Sequence, residues 1–240
     1  MKAVILAGGT GTRLLPLTRL LNKHLLPVGK QPMICYSINS LKEAGITDIM
    51  LVTSRHAAGM FTAFLGSGQE YGVSLTYRIQ EEAGGIAQAL TLSQSYIGDD
   101  TKFVVLLGDN LYEESLRPHL EAFAQQQDGA MVLLKQVPDP ERYGVPVFDE
   151  NGRITYIEEK PPSPQTDSCV TGIYMYDSSV FAFIATQTPS QRGELEITDV
   201  NNVYASQGKL EYRHLTGWWT DAGTFQSLHE AAIKMMGDEP

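Results

Sequence analysis

Short, mostly apolar runs alternate with segments of helical periodicity along the first half of the chain. The runs are rich in Val, Ile and Leu, as is typical of strands buried on both faces of a sheet. They cover residues 3–6, 49–53, 74–79, 103–107 and 130–135. Apolar residues recur at helical spacing over 32–44, 56–65, 85–96 and 116–126. Strands separated by helices predict parallel βαβ units, whose ligands bind at the carboxyl ends of the strands.

The pattern changes after Pro138, where the first three predicted strands follow one another with turn residues and no helices between them. The predicted strands cover 145–148, 154–158, 170–176 and 210–215, and the predicted helices cover 179–186, 195–206 and 224–236. Asn151-Gly152 is a hairpin turn signal between the first two of these strands. There is no repeat, low-complexity tract or long linker, so we expect one domain over residues 1–240.

Composition places the chain among globular proteins, with 42% hydrophobic and 19% charged residues. A net charge of −10 argues against nucleic acid and anionic membrane surfaces as partners. No apolar run approaches the ~20 residues of a membrane helix, and Met1 leads directly into the first strand without a signal peptide. Cys35 and Cys169 lack metal-ligand spacing and are expected to be buried thiols. These features predict a cytoplasmic protein with no membrane segment.

The first apolar run ends in a glycine- and threonine-rich segment, AGGTGTR, at residues 7–13. Its three glycines allow backbone N–H groups to approach an anion closely, and the guanidinium of Arg13 suits phosphate oxygens. A P-loop would need Gly-Lys-Ser/Thr, and a dinucleotide fingerprint would need a small residue in place of Leu14. The sequence therefore predicts a phosphate-binding loop of another kind, with a tight turn that binds nothing as the alternative.

Two aspartates are candidate metal ligands. Asp109 follows a predicted strand after Gly108, and Asp221 lies in the segment WTDAG. Each could equally be a turn residue or a helix cap. If they converge, two carboxylates form a sparse oxygen site, which suits Mg²⁺ because this ion keeps several waters and binds substrate phosphates.

The chain resembles the sugar-1-phosphate nucleotidylyltransferases, and within that superfamily the glucose-1-phosphate thymidylyltransferases. The resemblance begins with LAGGTGTRLLPLT followed by Lys23 and LLPV. It continues in family order through LGDNLY, DPERYGV, IEEKP, VTGIYMYD, RGELEITDVN and WTDAGT. It implies a Rossmann-like three-layer α/β/α fold with a mixed, mostly parallel sheet. It also implies a nucleotide-facing half at about 1–137 and a sugar-facing half at about 138–240.

For the nucleotide, the resemblance implies contacts from the loop, from Arg13 on the triphosphate, and from Gln80 and Gly85 on the base. The implied nucleotide-binding residues are Leu6, Gly8, Gly9, Thr10, Gly11, Thr12, Arg13, Gln80, Gly85 and Asp109. A glutamine amide offers a donor and an acceptor, which match the O4/N3 edge of thymine or uracil. Asp109 and Asp221 would bind Mg²⁺, and Arg13, Lys23 and Asp109 would be catalytic.

For the sugar phosphate, the resemblance implies a pocket lined by Lys23, Tyr143, Gly144, Glu159, Lys160, Val170 and Arg192. Glu159 would accept hydrogen bonds from sugar hydroxyls, and Lys160 and Arg192 would contact the phosphate. Trp218 and Trp219 could wall this pocket or belong to the core or an interface. Glu194 and Glu196 are expected to be solvated, and all five histidines to be structural or exposed.

The implied reaction is Mg²⁺-dependent nucleotidyl transfer from dTTP to α-D-glucose 1-phosphate, giving dTDP-glucose and pyrophosphate for rhamnose-type deoxysugar synthesis. A UTP-dependent sugar-1-phosphate uridylyltransferase and a non-catalytic nucleotide-sugar sensor are the alternatives. Longer bacterial relatives carry a further helical segment beyond the position of Met236. We therefore expect a short form, in which feedback inhibition by a dTDP-sugar and a tetrameric assembly are both in doubt, and a homo-oligomer stays open.

Overall fold

A computed structural model describes residues 1–99 and 101–237 of the chain. Residue 100 and residues 238–240 of the predicted domain lie outside this description. The strands are β1 Lys2–Ala7, β2 Pro27–Val28, β3 Gln31–Pro32, β4 Asp48–Ser54, β5 Ser74–Gln80, β6 Phe103–Leu107, β7 Asn110–Tyr112, β8 Ala130–Gln136, β9 Gly144–Phe148, β10 Ile154–Glu159, β11 Ser168–Tyr176, β12 Leu210–His214 and β13 Trp219–Asp221.

The helices follow the predicted segments closely. They are α1 Met33–Glu43, α2 Ala58–Leu65, α3 Ile86–Thr91, α4 Gln94–Ile97, α5 Arg117–Gln125, α6 Val180–Ala185, α7 Ile197–Ser206 and α8 Phe225–Met236. Short 3-10 turns cover Thr12–Leu14, Leu17–Arg19, Lys23–Leu25, Gln69–Tyr71 and Pro140–Arg142. The first of these turns begins inside the glycine loop and the second lies between that loop and Lys23, and both shape the segment that leads away from β1.

The central sheet has seven strands in the order β12-β8-β11-β6-β1-β4-β5. The neighbouring pairs are parallel except at β11, which runs antiparallel to both β6 and β8. The sheet is therefore mixed and mostly parallel, as expected from the sequence. Strands β9 and β10 form a separate antiparallel hairpin, and Gly152 in its turn has a φ of +75°, which favours glycine.

Alternate residues of the buried strands point into two separate cores. In β1, Ile5 packs toward a cluster that includes α1, α2 and α5, whereas Val4 packs toward one that includes α3, α6 and α7. Both side chains are fully buried. Helices thus cover both faces of the sheet, which gives the three-layer α/β/α architecture that the family resemblance implies.

One predicted helix is divided in two. The segment 85–96 forms α3 and α4 with a break around Ser93. The buried hydroxyl of Ser93 donates to the carbonyl oxygen of Leu90 at 2.7 Å, and the Ser93 N–H donates to the same oxygen at 3.0 Å. These local bonds compete with the regular helical ladder, which is why the helix ends there.

The expectation for the two cysteines is confirmed. Cys35 and Cys169 are buried and free, so neither belongs to a disulfide. Across residues 1–99 and 101–237, no helix combines the length and apolarity that a membrane crossing requires.

Candidate active site

The parallel arrangement of β1, β4, β5 and β6 brings the ends of these strands to one edge of the sheet. The glycine loop follows β1, Gln80 ends β5, and Asp109 follows β6 by two residues. A cavity of about 670 Å³ opens at this edge and extends across the sheet to the β9–β10 hairpin and α7. Most of the predicted site residues line this one cavity.

Part of the glycine loop lines the cavity. Gly9 and Gly11 have φ angles of +85° and +63°, which favour glycine at both positions. The Thr18 hydroxyl donates to the Gly11 carbonyl at 2.8 Å, and a Cβ at position 11 would lie 2.7 Å from the Thr18 methyl carbon. Thr18 thus holds the loop in a conformation that larger residues would disturb.

Two predicted loop contacts lie elsewhere. Thr10 lines a neighbouring cavity of about 450 Å³, on the far side of Gly9. Gly11 lines neither cavity, because it turns toward Thr18 and Lys23. Gly8, Gly9, Thr12 and Arg13 do face the main cavity, together with Leu6, Gln80 and Gly85.

Lys23 and Asp109 form a largely buried ion pair beside the loop. Burial opposes ionisation of Asp109, but the Lys23 ammonium, together with a hydrogen bond from Asn110, holds the pKa of this carboxyl below its ordinary value. The Asn110 amide donates to the other carboxylate oxygen at 3.2 Å. Asp109 is therefore an ionised carboxylate with a fixed orientation.

Asp221 reaches the same place from a distant part of the sequence. Strand β13 pairs with β7, so that Asp221 lies opposite Asn110, and the Ala222 N–H donates to the Asp109 carbonyl at 2.9 Å. The predicted convergence of the two aspartates is present. Burial and the nearby Asp109 charge raise the pKa of Asp221.

Asp221 is incompletely satisfied by the protein. Its Oδ1 is buried without a hydrogen-bond partner within the part of the chain that the structure describes. Its Oδ2 lies 3.6 Å from the Arg13 guanidinium, whose side chain is 58% exposed. An unpaired carboxylate oxygen beside a second carboxylate is a position where a cation would be stabilised.

The predicted sugar-side residues converge on the opposite wall. Glu159 accepts a hydrogen bond from the Thr198 hydroxyl at 2.6 Å, and its other oxygen lies 3.0 Å from the Lys160 ammonium and 3.7 Å from the Arg192 guanidinium. Tyr143 packs edge-on against Trp219, with ring centroids 5.5 Å apart. Gly144 and Val170 complete this wall.

Lys160 has an unusual backbone conformation. Its φ is +49°, the only positive φ of a non-glycine residue among the described residues. Its N–H donates to the Tyr143 carbonyl at 2.9 Å, which fixes the chain as it leaves β10. Such a conformation is unfavourable for lysine and is retained where the surroundings determine it, which is frequent at functional sites.

The prediction for Glu196 was wrong. Its side chain is only 13% exposed and forms an ion pair with Arg192, with the closest oxygens 2.9 Å from the guanidinium. This pair holds Arg192 at the cavity wall. Glu194, at 41% exposure, is closer to the expected solvated residue, although it also lines the cavity.

Several lining residues were missed. Asn110 is buried, and its Oδ1 accepts from the Gly172 N–H at 2.7 Å and the Trp219 indole at 2.9 Å. Arg142 stacks on Tyr143, and Thr198 holds Glu159. The adjacency of Asn110 to Asp109 was the available signal, whereas the roles of Arg142 and Thr198 depend on contacts that the sequence does not show.

His24 is structural, as expected, but it lies at the cavity. Its ring packs under Gly108, where a Cβ would lie 2.9 Å from the ring. Burial, with the Lys23 charge, lowers the pKa of His24 to about 3, so the ring is neutral at physiological pH. Of the tryptophans, Trp219 lines the cavity and Trp218 packs against a small apolar cluster near α8.

The sequence profile of the nucleotidyl transferase family matches residues 2–237. The chain belongs to this family. It is 46% identical over 235 residues to the glucose-1-phosphate thymidylyltransferase of Neisseria meningitidis, a match that covers 97% of this chain and 81% of the relative.

Two solved structures have the same fold. A Bacillus anthracis protein assigned as a glucose-1-phosphate thymidylyltransferase, in complex with a sucrose, superposes with a TM-score of 0.94 at 52% identity, over 100% of this chain and 97% of that one. A UDP-glucose pyrophosphorylase complexed with UDP-glucose superposes with a TM-score of 0.85 at 24% identity, over 99% of both chains. The second similarity concerns the fold alone.

Proposed function

We propose that this nucleotidyl transferase converts dTTP and α-D-glucose 1-phosphate to dTDP-glucose and pyrophosphate. The observation that carries the proposal is the arrangement of one cavity. The glycine loop, Arg13 and Lys23 face the Asp109–Asp221 pair, and the Glu159–Arg192 wall lies beyond them. A triphosphate and a sugar phosphate can therefore meet beside two cationic side chains and two carboxylates. The thymidylyltransferase identity of the relatives supports the choice of substrates.

The residues present fit a divalent cation, and Mg²⁺ in particular. The donor set is two carboxylates, one of which has a buried oxygen without a protein partner. In residues 1–99 and 101–237 there is no cluster of three or more His, Cys, Asp or Glu that could form an all-protein metal cage. Mg²⁺ suits such a sparse oxygen site, because it is commonly held by one or two carboxylates together with substrate phosphates. When bound by Asp109 and Asp221, it would supply charge neutralisation for the phosphates.

The chain itself mainly positions and neutralises anions. A sugar-phosphate oxygen attacks the α-phosphorus in line, and pyrophosphate leaves. The nucleophile is already anionic, so no strong general base is needed. Lys23 would neutralise the attacking phosphate and the α-phosphate, and Arg13 would stabilise charge on the triphosphate. Backbone N–H groups of Gly8, Gly9 and Thr12 would add donors to the nucleotide, while Thr10 and Gly11 would support the loop.

The sugar would bind against the opposite wall. Glu159 would accept hydrogen bonds from the glucose hydroxyls, and Lys160 and Arg192 would contact its phosphate. The ion pairs that these cations make with Glu159 and Glu196 hold them in place before the anion arrives. Tyr143, Gly144 and Val170 would shape the pocket, and Gln80 and Gly85 would read the base. The division into a nucleotide-facing half at about 1–137 and a sugar-facing half at about 138–240, within one domain, is part of this proposal.

The biological setting is a further part of the proposal. A cytoplasmic enzyme of this kind would carry out the first step of dTDP-deoxysugar synthesis, of the rhamnose type, for polysaccharide. Its partners would be the two small-molecule substrates, without nucleic acid or membrane. A homo-oligomer would be compatible with this function.

The test is pyrophosphate release with Mg²⁺ and glucose 1-phosphate, in which dTTP, UTP, CTP, GTP and ATP are supplied separately. We expect the fastest release with dTTP, and loss of release in Asp109→Asn. If UTP is clearly faster, the chain is a uridylyltransferase. Nucleotide binding without release would support a non-catalytic nucleotide-sugar sensor instead.

A further inference from the structure

Gln80, the last residue of β5, is buried with its carboxamide held on one side only. Its Nε2 donates to Oε1 of Gln88 at 2.6 Å and lies 3.4 Å from the carbonyl oxygen of Gly85. Its Oε1 points the other way, toward the glycine loop, where a Cβ at Gly8 would lie only 2.6 Å from it. Gln80 and Gly8 both line the main cavity. The amide therefore presents its oxygen to the nucleotide side of the cavity and its nitrogen to α3.

The neighbouring atoms determine which end of the Gln80 side-chain amide is the nitrogen and which is the oxygen. The Gly85 carbonyl can only accept a hydrogen bond, so the end of Gln80 that lies beside it must be the NH₂ group. That nitrogen can only donate, and Gln88 must therefore turn its own oxygen toward it. If Gln80 alone were flipped, its oxygen would face both the Gly85 carbonyl and the Gln88 oxygen, and a joint flip of both amides would still leave the Gln80 oxygen against the Gly85 carbonyl. The two glutamines are thus oriented together.

We propose that Gln88 is a positioning residue that sets the polarity of the Gln80 amide and thereby selects the base. This inference rests on the proposed function, in which Gln80 reads the base of the nucleoside triphosphate. With its oxygen toward the cavity, Gln80 accepts a hydrogen bond from a ring N–H of the base. Thymine and uracil carry such an N–H at N3, whereas cytosine carries a lone pair at N3.

Cytosine would therefore place one acceptor against another in a buried site. An unsatisfied buried pair of this kind is disfavoured by about tenfold or more in binding. The Gln80 amide could relieve the conflict only by flipping, and the flip is opposed by Gln88 and Gly85. The 5-methyl group of thymine is not involved in this contact. The preference for N3–H is accordingly independent of any preference for thymine over uracil.

The experiment measures equilibrium dissociation constants of the full-length protein for UTP, CTP and dTTP, in wild type, Gln88→Leu and Gln88→Glu. UTP and CTP share the ribose and differ only at the edge of the base that Gln80 reads. In wild type we expect UTP to bind about 10-fold or more tightly than CTP. Gln88→Leu removes the acceptor and should reduce this ratio by about tenfold. Gln88→Glu keeps an oxygen opposite Gln80 Nε2 and should preserve it.

The ratios of these dissociation constants distinguish a positioning role of Gln88 from a role in packing alone. A uniform loss of affinity, such as that caused by repulsion between the introduced carboxylate and the triphosphate, cancels in the UTP/CTP ratio. The dTTP/UTP ratio should be the same in all three proteins. If Gln88→Leu does not fold, Gln88→Met, which is unbranched and of similar length, takes its place. The inference is overturned if wild type shows no preference for UTP over CTP, if the leucine variant keeps it, or if the glutamate variant loses it equally.

The same proteins distinguish this inference from the proposed function. Selective binding that depends on Gln88, without pyrophosphate release from dTTP and glucose 1-phosphate, would contradict the proposed reaction and leave the inference standing. Rapid release in wild type, with an unchanged UTP/CTP ratio in Gln88→Leu, would contradict the inference alone.

Discussion

The N–H of Ala222 donates to the carbonyl oxygen of Asp109 at 2.9 Å and so joins two segments more than 100 residues apart in the sequence. With the β7–β13 pairing, this bond fixes the carboxylates of Asp109 and Asp221 beside one another. Burial raises the pKa of Asp221, and the like charge of Asp109 beside it raises this pKa further. The protein thus maintains an electrostatic conflict that a bound cation would relieve.

The first prediction concerns Asp221→Asn. Because the substitution removes this conflict, the metal-free variant should be more stable than wild type, with a Tm higher by about 2–4 °C for each kcal/mol gained. Pyrophosphate release should fall by about 100-fold or more, since a cation ligand is lost. Thermal unfolding in EDTA and in Mg²⁺ measures the stability: Mg²⁺ should raise the Tm of wild type and leave that of the variant nearly unchanged. An assay of pyrophosphate release from dTTP and glucose 1-phosphate measures the loss of activity. A metal-free variant less stable than wild type would contradict the argument.

The second prediction concerns Gly8→Ala. The added Cβ would lie 2.6 Å from Gln80 Oε1 and would displace that side chain from the cavity. We expect the KM for dTTP to rise by about tenfold, as for the loss of one buried hydrogen bond to the base. The matched control is Gly59→Ala within α2, where a Cβ meets nothing within 4 Å. That control should leave KM unchanged and stabilise the protein slightly, because alanine restricts the unfolded chain more than glycine does. An unchanged KM in Gly8→Ala would show that Gln80 does not need its present position.

The sequence predicts the central sheet well, because that sheet is built from continuous apolar runs. Strands such as β1, β4 and β6 are short runs rich in β-branched and aliphatic residues, and this length and composition favour a buried strand over a helix. The direction of β11 and the order of the strands are set by long-range pairing, which periodicity along the chain does not contain. The β7–β13 pair was missed for the same reason. Each of its strands has three residues, and its stability comes from the partner.

The candidate site was predicted where a motif follows a strand and missed where it depends on a contact. The sequence located four of the cavity residues from their position after a buried strand or within the quoted family motifs: Gly8, Arg13, Lys23 and Asp109. Glu196 was misjudged, because an acidic residue before a helix is usually solvated, and nothing nearby in the sequence shows the cavity wall. Thr198 was missed because its role lies in one hydrogen bond to a residue 39 positions away.

The third prediction tests that hydrogen bond. Thr198 is buried, and its hydroxyl donates to Glu159 Oε2 at 2.6 Å. Thr198→Val has nearly the same shape but lacks the hydroxyl, so Glu159 should lose its fixed orientation. We expect the KM for glucose 1-phosphate to rise by about tenfold, with the KM for dTTP unchanged. Thr198→Ser keeps the hydroxyl and should behave like wild type for both substrates. Equal effects of Val and Ser would assign the residue to packing alone.

The fourth prediction concerns the pH dependence of stability and the buried His119. Burial lowers the pKa of His119 below its ordinary value, although Glu114, 3.3 Å away, acts in the opposite direction. The neutral ring is therefore favoured in the folded state, and the unfolded chain takes up the proton first as the pH falls below about 6.5. The stability of the protein should decrease from that pH downward, toward the lower pKa of the folded state.

His24, whose pKa is about 3, contributes with the same sign, so wild type alone cannot isolate His119. His119→Gln keeps a polar, uncharged side chain at this position and removes the titration. Urea unfolding of both proteins between pH 7 and 5 gives the free energy of unfolding, which should depend less steeply on pH in the variant. An equal pH dependence in the two proteins would show that His119 retains its ordinary pKa when folded.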